Sequence, residues 1–169
     1  MSAMLLRRLI TMIRAAILTV SDSCSQGKRE DVSGQTIEQI LAKKGFEVCG
    51  KKIIPDVKET IADELKRLCD RDNVNVVFTT GGTGLGPRDV TPEATNDVCE
   101  KIVPGLCEII RAEGRHKTKT AVLSRAVAGV RGKTLIINLP GSAKGAKESL
   151  EIIIDILPHA VEMMHGGGH

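Results

Sequence analysis

Val74-Asn75-Val76-Val77-Phe78, followed by Thr79-Thr80-Gly81-Gly82-Thr83-Gly84-Leu85-Gly86-Pro87-Arg88-Asp89-Val90-Thr91-Pro92-Glu93, is the stretch whose reading decides the fold. A short apolar run enters a glycine turn, and a helix-like segment leaves it. Gly81, Gly82, Gly84 and Gly86 place four glycines in six positions. They let the backbone approach a ligand closely and aim N–H groups at it. The hydroxyls of Thr79, Thr80 and Thr83 add donors, and Arg88 and Asp89 set a cation beside a carboxylate. Thr91-Pro92-Glu93 predicts a helix start, with a capping hydroxyl, proline at the first position and an acid in the first turn. Strand, glycine turn and helix N-terminus together suit phosphate. The loop is not a Walker A loop, because it lacks the Gly-Lys-Ser/Thr ending. Nor is it a Rossmann fingerprint: the glycine spacing differs, and it follows the third strand instead of the first. Glycine-rich turns also arise for structural reasons alone.

Working outward, Ile13 to Val20 reads as a buried strand ended by Ser21-Asp22-Ser23. Ser33-Gly34 precedes a helical pattern carrying Ile37, Ile40 and Leu41, which Gly45 stops. Phe46 to Ile54 reads as a second strand ended by Pro55-Asp56, and Ile61, Leu65 and Leu68 mark the next helix. Beyond the glycine loop, helices are expected from about Pro92 to Lys101 and from Pro104 to Gly114. A hairpin or short strand is expected within Ala121 to Val130, and a strand over Thr134 to Asn138. A final helix runs from about Ala143 to Met164, with Pro158 kinking or breaking it. This alternation predicts a three-layer α/β/α domain with a mostly parallel central sheet. Residues 1–12 read as an N-terminal extension, 13–164 as one domain and 165–169 as a frayed tail.

At 169 residues, the chain is long enough to bury roughly 70% of its unfolded surface in one core. It has no Trp or Tyr and two Phe, Phe46 and Phe78, so the core is aliphatic. Stacking platforms for single-stranded nucleic acid are nearly absent, and a net charge of +3 argues for no polyanionic partner. No segment approaches the ~20 apolar residues that span a bilayer. Cys24, Cys49, Cys69, Cys99 and Cys107 form no Cys-x-x-Cys pair, which suits free thiols in a reducing cytoplasm. Cys24 falls in the loop expected to join the site.

In an open α/β sheet, ligands gather beyond the carboxyl ends of the strands. Ser21-Asp22, Pro55-Asp56, Gly81 to Asp89 and Pro140-Gly141-Ser142 all fall there. A bare phosphate cradle excludes carboxylates, since one like-charge contact at ~4 Å and a dielectric of ~20 costs roughly 4 kcal/mol. The helix-end attraction returns at most ~2 kcal/mol. The conflict between Asp56, Asp89 and an anion disappears with a divalent cation between them, because Mg²⁺ binds through one or two carboxylates plus substrate phosphates. Taken without the loop, turn formation or helix capping is the readier account of both aspartates. Pro140-Gly141-Ser142-Ala143-Lys144 reads equally as an anion-binding helix start and as an ordinary capped one. Arg125, beside Ser124, pairs either with a phosphate or with a surface acid. His116 and His159 read as surface residues, and no serine–histidine–aspartate or cysteine–histidine arrangement is apparent.

The run Thr80-Gly81-Gly82-Thr83-Gly84 with Arg88-Asp89-Val90-Thr91-Pro92-Glu93-Ala94 resembles the molybdopterin adenylyltransferases of molybdenum-cofactor biosynthesis, the MogA/MoaB type that includes the G domain of gephyrin. The likeness extends to Val20-Ser21-Asp22, Ile54-Pro55-Asp56, Leu123-Ser124-Arg125-Ala126 and Asn138-Leu139-Pro140-Gly141. The resemblance implies that molybdopterin and MgATP give adenylyl-molybdopterin and pyrophosphate. It implies Asp56 and Asp89 as catalytic, metal-holding residues. It implies that Ser21, Asp22, Ser124 and the Pro140, Gly141, Ser142 turn help form a pterin and nucleotide pocket, to which the reading of the residues adds Thr80, Gly81, Gly82, Thr83, Gly84, Arg88, Arg125 and Lys144 as candidates. It further implies a homotrimer or hexamer that hands its product to a molybdate-inserting enzyme. A non-catalytic molybdopterin-binding or scaffold protein on the same fold is the alternative, and an unrelated nucleotide-binding enzyme is a third reading.

Overall fold

The structure, a computed structural model, describes residues 12–167. The extension expected over residues 1–12 lies outside the described residues apart from Met12, as do residues 168 and 169 of the expected tail. Strands β1 (Arg14–Val20), β2 (Glu47–Ile54), β3 (Val76–Thr80), β4 (Lys101–Ile102), β5 (Ala128–Arg131) and β6 (Thr134–Leu139) form one sheet in the order β2-β1-β3-β6-β5-β4. The first four strands in that order are parallel, and β5 and β4 close one edge as an antiparallel pair of additions. The mostly parallel sheet expected from the alternating pattern is therefore present, with a mixed edge. From β1 the chain moves to β2 on one side and later to β3 on the other. That reversal is the switch point at which such sheets open a crevice.

Seven helices flank the sheet among the described residues: α1 (Asp22–Ser25), α2 (Val32–Lys43), α3 (Lys58–Asp70), α4 (Thr91–Val98), α5 (Pro104–Lys117), α6 (Ala143–Ile153) and α7 (Leu157–Met164). Alternate strand residues serve opposite faces. Ile17, Val76, Phe78, Leu135 and Ile137 pack with Ile37 and Leu41 of α2, Leu106 and Ile110 of α5 and Leu150 and Ile153 of α6. Leu18, Val20, Val77 and Ile136 pack with Ile61, Leu65 and Leu68 of α3 and Ala94 and Val98 of α4. Both phenylalanines are buried and the remaining large core side chains are aliphatic, each contributing about 1.5–3 kcal/mol by leaving water.

Several element ends differ from the sequence expectation, each for a local reason. The helix expected after Ser33-Gly34 begins at Val32, because the Asp31 carboxylate caps it by accepting from the Gly34 N–H at 2.8 Å. The helix expected from Pro92 to Lys101 ends at Val98, and Lys101–Ile102 becomes the edge strand paired with β5. Thr91 does not cap α4; its hydroxyl is buried and donates to the Gly81 carbonyl at 2.9 Å, and Val90 holds the cap position. The final helix breaks at a 3₁₀ turn over Ile154–Ile156, just ahead of where Pro158 removes an N–H donor and crowds the preceding carbonyl.

One buried polar cluster ties the second hairpin strand to the sheet interior. Asn138 is fully buried; its amide donates to the Thr79 and Thr95 hydroxyls at 2.9 Å each and its oxygen accepts from the Val127 N–H at 3.0 Å. Replacing Asn138 with Leu strands all three partners. The expected loss is about 2–4 kcal/mol of unfolding free energy by urea denaturation; a loss under about 1 kcal/mol would show that these partners re-pair elsewhere.

Candidate active site

The register Thr19↔Thr80 and Thr80↔Leu139 ends β1, β3 and β6 at one level. Their loops then touch. A side chain at Gly81 would lie 2.2 Å from the Val20 carbonyl oxygen, and Gly81 has φ of +102°. A Cβ at Gly141 would lie 3.1 Å from the Gly81 Cα. Thr80 locks the contact by donating from its hydroxyl to the Pro140 carbonyl at 2.7 Å. The hydroxyls of Thr79 and Thr80 are thus engaged inside the fold and are not free donors to a ligand.

Beyond Gly82 the loop is held from outside by Arg125. Its backbone N–H donates to the Thr83 carbonyl at 2.9 Å. Its guanidinium donates to the Gly84 carbonyl at 2.8 Å and the Asp89 carbonyl at 2.7 Å, and pairs with the Glu93 carboxylate. Of the two readings of Arg125, the structure shows the pairing with an acid.

Three aspartates meet on this side. The Asp22 N–H donates to Asp56 Oδ2 at 2.8 Å, and the Asp56 N–H returns a bond to Asp22 Oδ1 at 3.0 Å. Asp89 turns back under the loop, and its Oδ2 accepts from the Gly86 N–H at 2.8 Å. Added Cβ atoms at Gly84 and Gly86 would lie 2.9 and 2.8 Å from that oxygen, and one at Gly82 would lie 3.2 Å from Asp56 Oδ1. The glycines therefore leave room for carboxylates under the turn. Burial pushes the Asp56 carboxyl up from its ordinary value, the Asp22 and Asp89 charges push the same way, and the Asp22 N–H and Arg88 oppose them. Asp22 is held low, first by the Asp56 N–H and then by Arg88. Hard carboxylate oxygens, an excess of negative charge and space under a glycine turn suit a divalent cation that is completed by substrate oxygens. Among the described residues, no group of three or more His, Cys, Asp or Glu side chains stands ready to hold a metal by itself.

Two clefts open around the same strand ends, and neither is lined by Asp22, Asp56 or Asp89. One, of about 540 Å³, lies at the β1/β3 switch point and gathers Ser21, Thr80, Gly81, Gly141 and Ser142 with Cys24, Arg29 and Asp31. The other, of about 260 Å³, gathers Ser124, Pro140, Ser142 and Lys144 with Lys117 and Thr118. Ser142 borders both and caps α6 by accepting from the Gly145 N–H at 3.0 Å. Asp22, Asp56, Gly82, Gly84, Arg88 and Asp89 form the neighbouring acidic side, and Thr83 is buried behind it. Asp31 and Lys117 went unread in the sequence. Asp31 carries a usable signal, an acid three residues before Gly34 at a helix start; the Thr19 hydroxyl bonds its carboxylate at 2.7 Å. Lys117 carries none, since only the packing of α5 beside α6 brings it to the cleft. His116 and His159 are both exposed, and neither lines either cleft.

Glycine-packed strand ends, a polar cleft at the switch point and paired acids make this an α/β domain whose open sheet end suits a polar ligand. Comparison with known proteins places the chain in a family. Residues 16–159 match the family described as "Probable molybdopterin binding domain", and the chain belongs to that family. It is 40% identical over 156 residues to the molybdopterin adenylyltransferase of Helicobacter pylori strain J99, covering 91% of this chain and 89% of that one. It is 44% identical over 154 residues to the molybdenum cofactor synthesis protein cinnamon of Drosophila melanogaster, covering 90% of this chain and spanning 26% of that longer protein. The crystal structure of the molybdopterin biosynthesis enzyme MoaB from Thermus thermophilus superposes with a TM-score of 0.87 at 49% identity, covering 92% of this chain and 98% of that one.

The raised Asp56 carboxyl has a consequence for stability. An acid held above its ordinary value of 3.8 destabilises the fold at neutral pH, and that cost fades as pH falls through the raised value and is gone below 3.8. In EDTA at pH 7, Asp56→Asn is therefore expected to stabilise the protein, since it removes a charge that burial and two neighbouring acids disfavour. The gain should shrink as pH falls through the raised value and be lost well below the ordinary carboxyl value of 3.8. A lower melting temperature for the variant at pH 7 would overturn the assignment.

Proposed function

We propose that this chain is a molybdopterin adenylyltransferase of molybdenum-cofactor biosynthesis, with ATP as co-substrate. The observation that carries the reading is the meeting of Asp56 and Asp89 beneath the turn over residues 82–86, at the strand ends where a cleft also reaches the capped N-terminus of α6. In the reaction, a phosphate oxygen of molybdopterin forms a bond to the α-phosphorus of ATP, the α–β bridging bond breaks, and pyrophosphate leaves. Both reactants are anions, so alignment and charge neutralisation do most of the work. An ionised phosphate needs no strong base, which fits a site built without histidine.

Asp56 and Asp89 would hold Mg²⁺, which when bound neutralises polyphosphate charge. Gly81, Gly82 and Gly84 would offer backbone donors that are already fixed when substrate arrives. Ser21, Gly141 and Ser142 would line the nucleotide and pterin cleft, with Ser124 and Lys144 in its neighbour. Arg125 would act through the loop it holds. The catalytic unit is residues 13–164, acting as a trimer or hexamer in the cytoplasm and passing its product to a molybdate-inserting enzyme.

Purified protein given molybdopterin and MgATP is expected to release pyrophosphate and form an adenylylated pterin. Release no faster than without protein would favour the binding-only reading. Asp89→Asn is expected to cut turnover by about a hundredfold or more, the scale on which one fixed electrostatic partner acts, with an unchanged far-UV CD spectrum. Full activity would remove Asp89 from the mechanism.

A further inference from the structure

The acidic side of the site already faces a cation that belongs to the protein. Arg88, on the outer limb of the glycine loop, grips Asp22 with its fork: Nε donates to Oδ2 at 3.1 Å, and Nη2 donates to Oδ1 at 3.1 Å and Oδ2 at 2.9 Å. Asp22 is itself bonded both ways to Asp56, so the guanidinium stands one residue away from a carboxylate assigned to the metal. Among the described residues, Asp22 is the only hydrogen-bond partner of the Arg88 side chain. That side chain is 63% exposed, and exposed pairs of this kind exchange readily. Arg125, tied to two loop carbonyls and to Glu93, has no such freedom.

We infer that Arg88 is a counter-ion latch, which balances Asp22 and Asp56 in the empty protein and transfers to polyphosphate oxygens when a metal–polyphosphate complex enters. The inference rests on the assignment of Asp56 and Asp89 to the metal. A bare dication approaching Asp56 meets the Arg88 charge; at ~7 Å in a water-like dielectric, that repulsion weakens binding by about fivefold to tenfold. A polyphosphate reverses the sign, because its oxygens match the guanidinium fork. The site thereby disfavours a metal arriving alone and favours one arriving with its anion. By linkage, each ligand then improves the affinity of the other.

The test uses the full chain with Mn²⁺ as metal and inorganic pyrophosphate as anion, and needs no pterin. Mn²⁺ affinity is measured by electron paramagnetic resonance with and without pyrophosphate. Arg88→Ala is expected to bind Mn²⁺ alone about fivefold more tightly than wild type and to lose most of the gain that pyrophosphate gives. Arg88→Lys keeps the charge and should stay within about twofold of wild type for Mn²⁺ alone. Adding Asp56→Asn to Arg88→Ala should abolish the tightening, which locates the metal. The inference fails if Arg88→Ala binds Mn²⁺ no more tightly, if Arg88→Lys gains as much as Arg88→Ala, or if the tightening survives loss of Asp56. Pyrophosphate release by the wild-type protein with molybdopterin and MgATP reports on the proposed activity separately, so the two can fail independently.

Discussion

The contact between the ends of β1, β3 and β6 is the constraint on which the site depends. A Cβ at Gly81 would enter the Val20 carbonyl oxygen at 2.2 Å, and one at Gly141 would press on the Gly81 Cα at 3.1 Å. Three loops can meet so closely because the strands are parallel and in register, with Thr19, Thr80 and Leu139 side by side near their carboxyl ends. The Gly81 N–H donates to the Leu139 carbonyl at 3.2 Å and the Thr80 hydroxyl to the Pro140 carbonyl. Those two bonds fix where α6 begins, and with it the position of Ser142 between the two clefts. A methyl group at Gly81 would therefore disturb two strands, two loops and a helix start together.

The sheet was legible in the sequence because it is written locally. Apolar runs of strand length alternate with helical periodicity, and each ends in glycine, proline or aspartate. The site was legible for a related reason: its residues fall at strand ends, and topology alone brings strand ends together. What escaped is what long-range pairing decides. Lys101–Ile102 reads as the tail of a helix until Val130 and Gly129 are set opposite it. The Thr91 hydroxyl reads as a cap until the Gly81 carbonyl is found within 2.9 Å. Lys117 reads as a surface lysine until α5 is packed beside α6. None of these carries a local signal, because each partner lies far along the chain or on a separate element.

Gathering half-buried acids in one place is unfavourable by itself, and the structure limits the cost in two ways. Backbone donors serve the carboxylates: Asp22 and Asp56 exchange N–H bonds, and Asp89 accepts from Gly86. Arg88 adds a cation beside Asp22. The compensation is incomplete, since the Asp56 carboxyl remains pushed up by burial and by its two acidic neighbours. A group left in that state is stabilised by any cation that reaches it. Strain of this kind is expected where a fold gives up stability for a binding task, and it is concentrated here on a single residue.

Two arginines that look alike in the sequence divide the remaining work. Arg125 is tied to the Gly84 and Asp89 carbonyls and to Glu93, and its own N–H takes the Thr83 carbonyl. Ordering a loop costs about 1–2 kcal/mol per residue, while each hydrogen bond to a charged group returns about 1.5–3 kcal/mol. Two such bonds to loop carbonyls, with the Glu93 pair holding the guanidinium still, offset part of the ordering of Thr83 to Asp89. They also keep those carbonyls, which would repel an anion, engaged elsewhere. Among the described residues, Arg88 bonds only to Asp22 and is widely exposed, so little holds it in place. A held loop with a tied arginine behind it and a less tied one in front separates shape from charge: on the proposed reading, the first would set where phosphate sits and the second would respond once it is there.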